Sequence, residues 1–377
     1  MEVMLVNAKF KTEYRNFIPG EIYIVSGATK TKLTNIFELE AQRLAKPNIV
    51  NTVKFIELDG IFKKAVKNGN FKNLLIIRSG GIGDIIALTS IIDFFSDSNI
   101  HFVTQKIYFD LFEWFEIKPK LYSFENPFIT GYKSTDALTR FSNWARFQAE
   151  GVIENGHDRN WMELFFSFIN ENEPDINFLR PQLKEERIND LPSNIQTFQK
   201  KSKSLLICNK ATAMMRTCHL TDIVEALPER VLNQYDLFAY KDNLSTEDLK
   251  NIDSINKKAK IIVIEKTDLK TFLLDCFDAD KVISVDTGAL HFREAIGKDA
   301  IGLFNSFTAD SRTKHYQCTK SYDVKSDCEY MPCFLHETSK TRFCKKGKAG
   351  MFAAPCFDSK TNKTLLKQLK DIFEINL

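Results

Sequence analysis

Twice in this chain a short, mainly apolar run passes straight into a glycine-bearing turn and then into a helical pattern. The first run is Asn73-Leu74-Leu75-Ile76-Ile77-Arg78, followed by Ser79-Gly80-Gly81-Ile82-Gly83-Asp84; the second is Val282 to Val285, followed by Asp286-Thr287-Gly288-Ala289-Leu290-His291. Runs this short cannot make a helix of ordinary length, and with apolar residues on both alternating faces and only the small Ser284 among them, each reads as a strand buried on both faces of a parallel sheet. Parallel neighbours need a crossover between them, usually a helix, which commits the chain to an α/β architecture.

The rest of the sequence is consistent with two such sheets. After the first run come a helical stretch at Asp84 to Phe95, a strand at His101 to Thr104, a helix at Ile107 to Phe115 and a strand at Lys120 to Phe124; Lys133 to Ile169 reads as helix and loop completing this domain. Ile188 to Lys203, polar and broken by Pro192, reads as a linker. Ser204-Leu205-Leu206-Ile207-Cys208 then restarts the buried-strand pattern. Further strands are expected at Tyr235 to Tyr240, Ile261 to Ile264, Val282 to Val285 and Ala300 to Phe304, alternating with helices at Asp222 to Leu227, Thr246 to Ile252, Leu269 to Phe277 and Gly288 to Ile296. The expected organisation is an N-terminal appendage at 1–70 within the first lobe, with strands at Val3 to Val6 and Glu21 to Val25 and a helix from Leu33 to Leu44. A Rossmann-like domain at 71–195 follows, then a second at 204–356 with a Cys-rich segment at 318–356, and a terminal helix within 360–377.

At 377 residues the chain is long enough for two domains, and 44% hydrophobic residues with 15 Gly and 10 Pro exclude a disordered or collagen-like polymer. Fifty-two basic against 49 acidic residues leave a formal charge of +3, which by itself points to neither nucleic acid nor an acidic membrane surface. No apolar stretch is long enough to span a bilayer, and the first residues lack a secretory leader pattern, so the expected location is cytoplasmic.

Function must come from the two turns. Each joins a strand to a helix, where unpaired backbone N–H groups and the helix dipole favour an anion, and glycine lets a ligand approach the backbone. A dinucleotide fingerprint fails at the first turn, because Ile86 stands where the third glycine belongs and no ribose-binding acid follows the second strand. A plain turn capped by Asp84 is the bland alternative there. At the second turn Thr287 and the Gly288 amide can hold phosphate oxygens, Asp286 can fix a sugar hydroxyl or orient its neighbours, and His291, one turn on, can face the same anion; a structural Asp cap and a structural helical His are the bland alternative. Ligands of open parallel sheets lie beyond the strand carboxyl ends, so the cleft between the domains is the expected site.

Leu75 to Asp84, together with Asp286-Thr287-Gly288-Ala289-Leu290-His291, Gly297, Leu303-Phe304 and Lys266-Thr267 before Leu269, resembles the ADP-heptose:lipopolysaccharide heptosyltransferases of glycosyltransferase family 9, which have the GT-B fold. The resemblance runs from about Lys72 to Leu377. It implies two Rossmann-like doubly wound parallel-sheet domains, a nucleotide-sugar donor, Asp84 as general base, and Asp286, Thr287, Gly288 and His291 as the donor site, with Gly81, Gly83, Arg216 and Lys266 as further donor-side candidates. The chain departs from the family at Ala289, where Pro is usual, and at Asn305-Ser306-Phe307, where a Gly-Pro turn is usual.

The chemistry so implied is single displacement with inversion: a base takes the acceptor hydroxyl proton and the turn of the second domain receives the departing diphosphate without a metal ion. The spacing Asp278-Ala279-Asp280 resembles a metal-binding carboxylate pair but falls between a helix and a buried strand, where Asp is a common terminator. Cys328, Cys333, Cys344 and Cys356 resemble the family's Cys-rich tail and are candidate ligands for a structural zinc or iron, although they lack paired Cys-x2-Cys knuckles; free or buried thiols are the other reading, and Cys318, His315 and His336 are spare ligands. Lys340, Arg342, Lys345, Lys346 and Lys348 form a basic stretch that can meet a phosphorylated glycan or a nucleic-acid backbone. Alternatives to a heptosyl-type transferase are therefore a glycosyltransferase acting on protein or nucleic acid, and an inactive nucleotide-sugar-binding scaffold.

Overall fold

The structure is a computed structural model. It describes residues 2–6, 10–11, 16–17, 22–25, 30–35, 53–57, 62–123, 141–149, 159–171, 173–188, 190–266, 268–333, 344–347 and 351–377. Among them no helix is long and apolar enough to cross a membrane.

The N-terminal segment contributes β1 (Glu2–Val6), β2 (Phe10–Lys11), β3 (Asn16–Phe17), β4 (Ile22–Val25) and β5 (Val53–Glu57). β4, β1 and β5 form an antiparallel sheet in that order and β2 pairs with β3. Residues 30–35 are helical; the remainder of the helix expected as far as Leu44 lies outside the described residues.

The first lobe holds a five-stranded parallel sheet: β6 (Lys63–Lys64), β7 (Asn73–Ile77), β8 (Asn99–Thr104), β9 (Lys120–Ser123) and β10 (Trp144–Gln148), in the order β6-β10-β7-β8-β9. Three sequence-based expectations need correction here. Trp144–Gln148, read as helix or loop, is a strand beside β7. The single helix expected from Asp84 to Phe95 is two, Ile82–Ala87 and Thr89–Phe94. At the break the Thr89 hydroxyl donates to the Ile86 carbonyl (2.8 Å) and accepts from the Gln182 amide (3.1 Å), competing with the helical backbone bonds. The helix expected at Ile107 to Phe115 is a 3₁₀ helix, Lys106–Trp114.

The second lobe is a six-stranded parallel sheet of β11 (Lys203–Cys208), β12 (Tyr235–Tyr240), β13 (Ile261–Ile264), β14 (Lys281–Val285), β15 (Ala300–Phe304) and β16 (Thr319–Asp323). Its order, β13-β12-β11-β14-β15-β16, is that of a doubly wound sheet whose winding reverses between β11 and β14. The first lobe reverses in the same way between β7 and β10. The terminal helix Leu365–Asn376 buries Leu365, Leu369 and Phe373 against the face that also takes the Leu220–Ala226 helix. The expected linker carries a short helix, Asn194–Phe198, whose first turn is capped by Ser193.

The lobes share a core. Trp114 of the first lobe packs on Phe277 and Phe292 of the second, with ring centroids 5.3 and 5.0 Å apart. Asn160 caps the Trp161–Phe168 helix through the Met162 amide and donates from Nδ2 to the Asp310 carbonyl of the second lobe (2.9 Å). Glu163 accepts from both Lys314 and His315, each at 2.8 Å.

Candidate active site at the junction of the two lobes

A doubly wound sheet opens a crevice where its winding reverses, because adjacent crossovers leave to opposite faces there. In the first lobe that point is flanked by the turn after β7, and the Arg78 guanidinium spans it, donating to the Gly80 carbonyl (2.9 Å) and to the Ala149 carbonyl after β10 (3.4 Å). Its other nitrogen meets Asp84 Oδ2 at 2.5 Å. The helix Ile82–Ala87 has no side-chain cap, so Asp84 is not there to satisfy the turn; it is drawn into an ion pair. Gly81 is required on two counts: its φ is +83°, and a Cβ there would stand 2.2 Å from Asp84 Oδ2. Among the described residues no hydrogen bond engages Asp84 Oδ1.

In the second lobe the reversal lies between β11 and β14, and Arg216, from the loop after β11, donates to both the backbone oxygen and Oδ2 of Asp286 at 3.1 Å. His291 Nε2 lies 3.5 Å from Asp286 Oδ1, and His291 Nδ1 lies 2.9 Å from the Tyr316 hydroxyl. Burial would push the Asp286 carboxyl up; the Arg216 guanidinium, the His291 contact and the nearby Arg312 charge outweigh it and hold the group well below the usual carboxylate range. Burial first, then the Glu294 and Asp286 charges, push Tyr316 far up, so its hydroxyl stays protonated. The tautomer satisfying both contacts has Tyr316 donating to Nδ1 and Nε2–H facing Asp286. Thr287 is the N-cap residue of Gly288–Ala295, and its hydroxyl shares a 2.8 Å hydrogen bond with Ser284.

These two turns meet. A Cβ on Gly83 would lie 2.3 Å from His291 Cδ2, and one on Gly288 would lie 2.7 Å from Ile82 Cβ. The glycines therefore permit close approach of the Ile82–Ala87 and Gly288–Ala295 helices, one from each lobe, which places Asp84 and the Asp286–His291 group on either side of one junction. Trp161 closes the junction, its ring centroid 4.6 Å from that of His291.

Other candidates lie elsewhere. Lys266 follows β13, which β12 and β11 separate from β14, and its ammonium sits over the Phe272 ring at 4.6 Å. Asp278 pairs with Arg187 (3.0 Å) and Asp280 accepts from the Ser204 amide and hydroxyl (2.7 and 3.0 Å), so both are terminators in use as such. His315 is taken by Glu163, and the Cys318 amide by Glu294; His336 lies outside the described residues.

Cys328, Cys333, Cys344 and Cys356 share one neighbourhood beside the Arg216 loop. Burial, then the charges of the other three sulfurs, push Cys333 up to about 12; burial and the Cys344 and Cys328 charges push Cys356 up to about 11, against a hydrogen bond from Asn305. Asn305 Nδ2 also donates to the Met215 carbonyl (2.5 Å), tying this segment to the site. Among the described residues, as placed, no three His, Cys, Asp or Glu side chains are grouped closely enough to hold an ion.

Three residues that the sequence did not single out complete the junction, Arg312, Trp161 and Tyr316. None carries a local signal: Tyr316 meets His291 only in the folded second lobe, and the other two become part of the site only when the lobes pack.

Residues 122–343, more than half of the chain, match glycosyltransferase family 9 (heptosyltransferase). The matched stretch contains Arg216 and the Asp286–His291 turn; Asp84 lies upstream of it, as do Gly81 and Gly83. Among solved structures the chain is similar to the bacterial iron-containing dodecameric glycosyltransferase TibC from enterotoxigenic E. coli H10407 (TM-score 0.52, 12% identity, 86% of this chain and 78% of that one). It is also similar to dodecameric iron-containing heptosyltransferase TibC in complex with ADP-D-β-D-heptose (TM-score 0.51, 11% identity, 86% and 82%). E. coli ADP-heptose lps heptosyltransferase II gives a TM-score of 0.46 at 12% identity, over 66% and 90%. No curated protein matches the sequence.

Proposed function

The chain belongs to glycosyltransferase family 9, the heptosyltransferases, and from that premise we propose that it transfers a sugar with inversion from a nucleoside-diphosphate donor to an acceptor hydroxyl, with Asp84 as the base. The observation that carries the proposal is the meeting of the two turns, Gly83 against His291 and Gly288 against Ile82.

In this reading Arg78 fixes Asp84 through Oδ2 and leaves Oδ1 to accept the acceptor's proton. As the proton leaves, the acceptor oxygen attacks the anomeric carbon and the bond to the diphosphate breaks, its electron pair going to the phosphate oxygen. The Gly288 amide, Thr287, His291 and Arg216 receive that charge, with Asp286 holding Arg216 and His291 in position. Gly81 and Gly83 shape the junction, and Lys266, over Phe272 after β13, is given no part in it.

ADP-D-β-D-heptose is the donor favoured, since a neighbour of the same fold is described as bound to it. Cys328, Cys333, Cys344 and Cys356 are proposed to hold a structural zinc or iron. Four cysteine sulfurs in one neighbourhood offer the soft ligands a thiophilic cation takes on displacing their protons, and such an ion would supply rigidity to the Asn305 and Arg216 loops and no chemistry to the transfer. The test is to supply the full chain with ADP-D-β-D-heptose and with other nucleoside-diphosphate sugars and to follow nucleoside diphosphate release. Release from at least one donor is expected; absence of both release and binding across the set contradicts the proposal.

A further inference from the structure

Arg312 belongs to the short helix Ala309–Thr313 of the second lobe, and only 7% of it is exposed. Its guanidinium carbon lies 3.6 Å from the Phe307 ring centroid and 5.0 Å from that of Trp161. Among the described residues it has no hydrogen-bond or ion-pair partner. The nearby carboxylates are already committed: Asp286 to Arg216 and His291, Asp84 to Arg78. Both carboxylates nevertheless act electrostatically on Arg312, so it lies within range of an acidic group from each lobe, with Arg216 nearby as a like charge.

The local charge does not balance. Among the described residues Asp84 holds Arg78 and Asp286 holds Arg216, and no carboxylate is left to pair with Arg312. Nearby donors are also unused: among the described residues Arg216 Nε, Trp161 Nε1 and Ser306 Oγ are buried with no partner. Buried donors and a buried cation are costly to leave unanswered, and a protein keeps them where a ligand answers them. Trp161 touches Arg312 from the first lobe, and Ser306 precedes the Phe307 that stacks on it, so both belong to the surroundings of Arg312.

We infer that Arg312 is a binding residue for the leaving diphosphate of the donor, held by Phe307 and Trp161 as a preformed cation between the two lobes. The inference rests on the sugar-transfer reading and adds to it a residue from outside the Asp286–His291 turn. It explains why a guanidinium is stacked in a buried junction without an acid to pair it: the acid arrives with the substrate.

The test is Arg312→Met in the full chain, which removes charge and donors while keeping volume and contact with the aromatic rings. ADP, GDP, UDP and the matching monophosphates are titrated calorimetrically, and melting is followed without ligand. The expected result is a melting temperature no lower than wild type. Affinity for the bound diphosphate should fall about tenfold or more, with a smaller loss for its monophosphate. Unchanged diphosphate affinity overturns the role of Arg312 and leaves the transferase reading standing. Equal losses for diphosphate and monophosphate, or a variant that fails to fold, also overturn it, because they make Arg312 a pillar of the free protein. If wild type binds none of these nucleotides, both readings fall together.

Discussion

At the scale of single residues the account turns on two carboxylates in opposite circumstances. Asp84 is held by one oxygen on Arg78 and offers the other. Asp84→Asn should keep donor affinity within about threefold and lower turnover by about 10² to 10⁴, the span general-base catalysis covers; calorimetry and initial rates measure the two separately. Asp286 is the anchor of a buried group. Asp286→Asn should destabilise by on the order of 2–3 kcal/mol, toward the low end for breaking a buried pair because Arg216 keeps 24% of its side chain in solvent. The pH dependence has a definite sign. The folded-state pKa of Asp286 is depressed, so its contribution is present above the unfolded carboxylate value of about 3.9 and drains away as pH falls below it. The stability gap between wild type and Asp286→Asn, read from denaturant melts, should therefore be constant from pH 7 to about 5 and narrow below about 4.

Among the elements, the Ile82–Ala87 and Gly288–Ala295 helices carry the geometry. Gly83→Ala places a methyl group 2.3 Å from His291 and should cost about 1–3 kcal/mol, as overpacking does; His291→Ala in the same chain should return part of that stability while leaving donor binding weak, which melting and calorimetry distinguish. The Cys-rich segment makes a separate prediction: protein purified without added metal should carry about one zinc or iron per chain by elemental analysis, and Cys344→Ser should lose it and melt earlier. What the sequence disclosed at this scale follows from burial. β7 and β14 are mainly apolar, with the small Ser284 the one polar residue inside the buried part of β14, because both faces of each are covered, and so they were legible. β10 was not, because Trp144-Ala145-Arg146-Phe147-Gln148 alternates buried with partly exposed positions and includes a charge. The turns announced the site through glycine and aspartate, but the reason for Gly83 and Gly288 was contact between lobes, which no local pattern encodes. Arg312 and Trp161 were illegible for the same reason.

The whole molecule is two doubly wound sheets whose winding reverses at the same junction, joined by a shared aromatic core around Trp114. A ligand seated there contacts both lobes, so a nucleoside diphosphate present at 100 times its dissociation constant should add about 2.7 kcal/mol to stability, visible as a rise in melting temperature. The most direct test of the central claim, that one lobe supplies the base and the other the anion site, is to measure donor affinity and single-turnover transfer side by side for Asp84→Asn and Asp286→Asn, using ADP-D-β-D-heptose or whichever donor wild type turns over. The account predicts that Asp84→Asn binds donor and fails to transfer it, while Asp286→Asn loses binding. Near-normal transfer by Asp84→Asn, or undiminished donor binding by Asp286→Asn, would contradict it.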